Sequence, residues 1–219
     1  RSASRPRRRQ QHRQPFHQRF GRSAKGVARL VNARGLVLFP GAGSSASHAA
    51  LVAIEQAVAP LPVARIDFPY RKAGKKFPDK APVLVQYVKD EVRSFAEQIG
   101  CDTSALVIGG RSMGGRMCSM ANADEQDPLV VAGLVCIGYP LHPPKKPDQL
   151  RTAHLPSVTA KTLFISGTKD EFGTPAELQS AWSLLAQPPT THFIENGRHE
   201  LKGADEMVAT IIAEWLQHV

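Results

Sequence analysis

Apolar residues follow two spacings along this chain, and the two alternate. Short runs that are apolar at most positions occupy residues 36–39, 63–68, 105–108, 130–137, 162–166 and 191–194. Runs of that length, bounded by Gly, Pro and polar residues, predict strands buried on both faces. Between them, apolar residues recur every three or four positions. Leu51, Ile54 and Val58 mark one helical face, with Ser47 placed to cap it. Over 83–99, Leu84, Tyr87, Val88, Val92, Phe95 and Ile99 mark another. The segment 113–122 puts Met117, Met120 and Ala121 on one side. Thr174-Pro175-Ala176-Glu177 reads as a capping box with proline at the first helical position, ahead of Leu178, Trp182 and Leu185. Val208, Ile211, Ile212 and Trp215 belong to a final helix, and residues 27–31 to a short edge strand. Strands alternating with helices imply an α/β fold: a mostly parallel sheet of about six to seven strands with helices on both faces.

The 219 residues suit one domain, read here as 26–219, with no internal repeat. The formal charge of +9 suggests a nucleic-acid partner until it is located. Residues 1–25 hold nine Arg and Lys and no acid, which leaves 19 basic against 19 acidic residues in the remainder. The domain is neutral, and the excess sits in a tail too poor in apolar residues to fold, read as disordered. Nucleic-acid contact is thereby reduced to a weak one through that tail. No apolar segment follows the arginines as a secretory signal requires, and no window reaches the length of a membrane span. Cys101, Cys118 and Cys136 lack metal-ligand spacing, and the last two fall in apolar segments. Cys118 and Cys136 read as core thiols of a reducing compartment, so the expected location is cytoplasmic, with no metal and no cofactor.

The chemistry concentrates in Gly109-Gly110-Arg111-Ser112-Met113-Gly114-Gly115, between a predicted strand and a predicted helix. G-x-S-x-G in that setting is the nucleophile elbow of the α/β-hydrolase fold. So tight a turn leaves no room for side chains two residues either side of the serine, which Gly110 and Gly114 satisfy. It presents the Ser112 hydroxyl at the top of the sheet, with the free amide of Met113 beside it as an oxyanion donor. The loop Pro40-Gly41-Ala42-Gly43-Ser44-Ser45 lacks the lysine of a phosphate-binding loop and the spacing of a dinucleotide fingerprint. In a hydrolase it would bring a second N–H to the substrate carbonyl, from Ala42 or its neighbours Gly41 and Gly43.

Functional groups of a parallel α/β sheet gather beyond the carboxyl ends of the strands. Asp170 follows one strand and His199 another, and Ser112, Asp170, His199 is the chain order this fold uses. His199 would accept the serine proton while Asp170 fixes its tautomer. Glu171 competes with Asp170. His192 lies at a strand start, the wrong end of the sheet, and His142 and His154 fall in a proline-rich excursion as surface or pocket-wall residues. Arg71, in a basic loop with Lys72, Lys75 and Lys76, and Arg111 beside the nucleophile are candidates to bind a carboxylate or phosphate on the substrate. Tyr139, at the end of a strand, is a further substrate-binding candidate.

Four stretches carry a resemblance: 109–115, Asp67-Phe68-Pro69-Tyr70-Arg71, Gly138-Tyr139-Pro140-Leu141-His142-Pro143-Pro144, and Gly167-Thr168-Lys169-Asp170. Together they resemble the compact, dienelactone-hydrolase-like α/β-hydrolases. Within these they are most similar to the branch shared by uncharacterised bacterial proteins and a subunit of a chromatin acetyltransferase complex. The resemblance implies a sheet without the first strands of the full fold and a minimal cap. It departs from the group at Ser112, where dienelactone hydrolases carry cysteine, and at Pro40-Gly41, where many members have His-Gly. The expected function is a serine hydrolase of a small-molecule ester, thioester or lactone. The alternative is a non-catalytic interaction protein on the same fold.

Overall fold

The computed structural model describes residues 33–219. The strand expected at 27–31 and the basic tail at 1–25 lie outside the described residues. Six strands form one parallel sheet in the order β2-β1-β3-β4-β5-β6. They are β1 (Gly35–Phe39), β2 (Val63–Arg65), β3 (Leu106–Arg111), β4 (Gly133–Ile137), β5 (Lys161–Gly167) and β6 (Thr190–Ile194). The helices are α1 (Ala49–Ala57), α2 (Pro69–Lys72), α3 (Ala81–Gln98), α4 (Met113–Asn122), α5 (Pro175–Trp182) and α6 (Asp205–Leu216).

The strand period of two sorts the apolar residues into two cores. Val37, Phe39, Ile108, Cys136 and Phe164 face one side, where α3, α4 and α5 bring Val88, Met117 and Trp182. Leu36, Leu38, Val107, Val135 and Ile165 face the other, where α1 and α6 bring Ile54 and Ile212. Strands β1, β3 and β4 are buried along their whole length, as the unbroken apolar runs require. Edge strands β2 and β6 are only partly covered.

The capping box of α5 forms as expected: the Glu177 amide donates to Thr174 Oγ1, and the Thr174 amide donates to Glu177 Oε2 at 2.8 Å. Other boundaries shift for identifiable reasons. His48, not Ser47, caps α1, its Nδ1 accepting from the Ala50 amide at 3.1 Å while Ser47 Oγ bonds Ser45 Oγ. The strand expected at 63–68 stops at Arg65, because Asp67 leaves the sheet to accept the Ala46 amide at 2.7 Å. Pro69 then opens α2 where a loop was expected. The strand expected at 130–137 begins at Gly133; the Val130 carbonyl ahead of it accepts instead from Thr103 Oγ1 at 2.8 Å.

Between β1 and β3 the strand order reverses direction, and such a switch point leaves a crevice at the carboxyl ends. Among the described residues, no helix is long and apolar enough to cross a membrane. No cluster of three or more His, Cys, Asp or Glu among them could hold a metal.

Candidate active site

Strand β3 runs straight into α4, and Ser112 is the single residue between them. It adopts φ 49 and ψ −115, a conformation that costs about 1–3 kcal/mol and persists only where its surroundings enforce it. The enforcement is backbone packing. A methyl group added at Gly110 or at Gly114 would overlap the carbonyl oxygen of Phe39. On the other side, the Ser112 amide donates to the Ile137 carbonyl at 2.7 Å.

His199 and Asp170 reach this serine from two other loops that are laced together. The Thr168 amide donates to the Ile194 carbonyl, the Lys169 amide to Gly197, and the Asn196 amide to Thr168 Oγ1. With the loops fixed, His199 Nε2 lies 2.9 Å from Ser112 Oγ. His199 Nδ1 lies 3.0 Å from both Asp170 oxygens. Asp170 accepts also from the Phe172 amide at 2.8 Å, and its side chain is fully buried. Acceptors at Nδ1 place the ring proton there and leave the Nε2 lone pair facing the serine. The Phe172 ring stacks on the imidazole with centroids 4.0 Å apart.

These groups open on a cavity of about 600 Å³, within the usual range for small-molecule sites. Ala42, Gly43 and Met113 line it beside Ser112. The Met113 amide is the first of α4, where helix N–H groups have no internal acceptor. The Ala42 carbonyl accepts from Tyr70 Oη at 2.7 Å and the Gly41 carbonyl from the Ser44 amide, which sets the orientation of the loop.

The expected substrate-binding residues are redistributed. Arg111 lines the cavity, but its donors are engaged: Nη1 lies 2.6 Å from His48 Nε2, and Nη2 donates to the Glu200 carbonyl and to Glu200 Oε2. Burial, and then the Arg111 charge, lower the His48 pKa. Arg71 is exposed on α2 and is not in the cavity wall, because α2 turns its neighbour Tyr70 inward instead. Tyr139 is buried with its edge on Phe164, and its hydroxyl donates to the Arg151 carbonyl at 2.7 Å, so it supports the wall from behind. His142, expected at the surface or pocket wall, is buried, and His154 bonds Ser119 Oγ at 2.8 Å. Neither lines the cavity, and His192 is exposed on β6.

Sequence reading missed Phe172, His48, Glu200, Arg116 and Arg151, all of which line the cavity. For Arg116 a signal existed: it lies four residues after Ser112 on a helix, hence above the same face. Phe172 and Glu200 follow Asp170 and His199 within two residues, whereas His48 and Arg151 reach the site through long-range packing.

Solved structures share this architecture. A monoacylglycerol lipase from Paleococcus ferrophilus is 16% identical with a TM-score of 0.64, over 84% of this chain and 95% of that one. A dienelactone hydrolase from Anabaena variabilis is 22% identical with a TM-score of 0.61, over 85% and 87%. Est1E from Butyrivibrio proteoclasticus is 12% identical with a TM-score of 0.65, over 84% and 88%. At such identities the likeness is one of fold. A family profile described as "Alpha/beta hydrolase domain" matches residues 32–218, most of the chain. The chain belongs to the alpha/beta hydrolase domain family.

Proposed function

We propose that the protein is a serine hydrolase that cleaves a carboxylic ester, thioester or lactone through an acyl-enzyme. The observation that carries this reading is the continuous relay Ser112 Oγ, His199 Nε2, His199 Nδ1, Asp170, with steps of 2.9 and 3.0 Å. Ser112 Oγ bonds the substrate carbonyl carbon as its proton passes to His199 Nε2. The imidazolium so formed lies against the buried Asp170 carboxylate. The developing oxyanion receives the Met113 amide and one from the glycine-rich loop, with Ala42 the assigned donor. Collapse expels the alcohol or thiol, which takes the proton from His199. Water then attacks the acyl carbon, giving its proton to the same nitrogen; the bond from that carbon to Ser112 Oγ breaks, the serine takes the proton back from His199, and the acid leaves. The fold's likeness to esterases, a lipase and a dienelactone hydrolase supports hydrolysis as the reaction class.

A fluorophosphonate mimics the tetrahedral intermediate and needs no knowledge of the substrate. The expected result is stoichiometric labelling at Ser112, abolished in Ser112→Ala and strongly reduced in His199→Ala. Asp170→Asn slows turnover of a short-chain ester by up to about 10⁴-fold, through loss of the correct tautomer. A folded wild-type protein that stays unlabelled while a control hydrolase reacts would sink the reading in favour of a non-catalytic interaction protein.

A further inference from the structure

Among the described residues, buried and half-buried Lys and Arg are paired with carboxylates, with two exceptions in one place. Lys89, 2% exposed, lies 2.8 Å from Asp124 and 3.3 Å from Asp127. Arg65 lies 2.8 Å from Glu55, and Arg111 3.1 Å from Glu200. Arg116 and Arg151 line the cavity over Ser112, and neither has a carboxylate partner among the described residues. Arg116 Nε is buried with no hydrogen-bond partner among them. Arg151 Nη1 donates only to the Pro140 carbonyl, at 3.2 Å. A guanidinium partly withdrawn from water without a counter-charge is costly, and two together more so, because each raises the cost of the other. The repulsion registers on Arg151, whose pKa is lowered by burial and then by the Arg116 charge.

The surroundings leave this charge uncompensated. His154, beside Arg116, is held neutral at ordinary pH, its pKa depressed to about 4 by burial and then by Arg116. Of the two carboxylates in the cavity wall, Glu200 is engaged by Arg111. Glu171 is held below the usual carboxylate range by backbone amides, with Arg198 and His199 contributing. Its Oε2 lies 3.9 Å from Nε of Arg198, the residue before His199, whereas Arg116 stands on α4, its amide donating to the Ser112 carbonyl at 3.1 Å. Four residues of helix rise put Arg116 about 6 Å along the axis from the nucleophile. A planar fork of donors so placed matches carboxylate and phosphate oxygens in bidentate fashion.

We propose that Arg116 and Arg151 form an anion subsite in the cavity over Ser112, and that the natural substrate carries a carboxylate or phosphate beside its scissile bond. The second half of this proposal rests on the hydrolase reading above. The exposed basic residues of α2 and the loop after it have no part in it.

Esters matched except for charge test the subsite. For the acyl side, 4-nitrophenyl hydrogen adipate is compared with its methyl ester. For the leaving group, 3-acetoxybenzoate and 3-acetoxyphenyl phosphate are compared with methyl 3-acetoxybenzoate, which separates carboxylate from phosphate. At low salt at least one anionic ester is expected to exceed its neutral partner in kcat/KM by about tenfold or more, with the advantage shrinking as salt rises. Arg116→Gln and Arg151→Gln should each bring that ratio towards one, and the Lys variants should retain part of it. Should Arg116→Gln fail to fold by its melting curve, Arg151→Gln, a loop position, decides alone. Calorimetric binding of monomethyl adipate to Ser112→Ala protein separates the two readings. Binding weakened about tenfold by either Gln variant, alongside a wild-type protein that hydrolyses none of these esters and takes no fluorophosphonate label, upholds the subsite and removes the hydrolase. Equal rates for charged and neutral esters, or a preference that survives both Gln changes, overturns the subsite and leaves the hydrolase standing.

Discussion

His154 shows how a single side chain ties stability to pH in this protein. Its folded pKa lies near 4, below the ordinary value of 6.5, because burial and the Arg116 charge both disfavour the cation. Between those values the unfolded chain binds a proton that the folded one refuses. Stability therefore rises with pH across that window and is lost as pH falls through it, with no further loss from this group below about 4. The full difference is worth about 3 kcal/mol. Thermal melts from pH 7 down to 4 should show this limb, and His154→Gln should flatten it; an unchanged limb would assign the acid sensitivity elsewhere. Residues of this kind mark where sequence reading stops. Ser112, Asp170 and His199 were legible because each follows a predicted strand in the chain order of the fold. The environment of His154 was not, since it is made by Arg116 and Ser119, more than thirty residues away in sequence. Phe172 was equally hidden, because stacking on His199 is set by how two loops meet rather than by any local pattern.

Among the elements, the loops after β1 and β6 are set on either side of the nucleophile by the last residue of β3. Arg111 holds His48, the cap of α1, through Nη1 and Glu200, the neighbour of His199, through Nη2. It is a positioning residue: it holds the loops that bring Ala42 and His199 to Ser112. Arg111→Gln should therefore slow fluorophosphonate labelling of folded protein by about tenfold or more, since small misplacements of reacting groups are amplified in rate. Arg111→Lys should recover part of that loss. A lower melting temperature with unchanged labelling of the folded fraction would show that the strut serves stability alone. The elements themselves were readable where one face or both are fully buried, as in β1, β3 and α4. Boundaries failed where a polar side chain at a strand end is drawn to a neighbouring loop, as Asp67 is to the Ala46 amide. At the sheet edge, β6 exposes Thr190, Thr191 and His192 and the apolar signal thins, yet the expected 191–194 differs from the strand by one residue.

Across the whole molecule, the candidate site exists only as a product of the complete sheet. Its relay joins the ends of β3, β5 and β6, and Ser112 and His199 are 87 residues apart. No local segment can keep that geometry once the sheet is lost. Phe164, fully buried in the centre of β5, offers a way to test this remotely from the site. It stacks on Trp182 at 4.5 Å between centroids and receives the edge of Tyr139 at 5.7 Å. Phe164→Ala should cost about 3–5 kcal/mol through lost burial and the cavity left behind. In urea, wild-type labelling at Ser112 and far-UV circular dichroism should be lost at one midpoint, and the variant should shift both by the same amount. Labelling that disappears well before the circular dichroism would mean that the loops after β5 and β6 open as a separate unit. The coincidence is expected because the loops that carry Asp170 and His199 are bonded to each other by backbone amides. Each is also continuous with a strand of the same sheet, so the loops hold their places only while β5 and β6 stay paired.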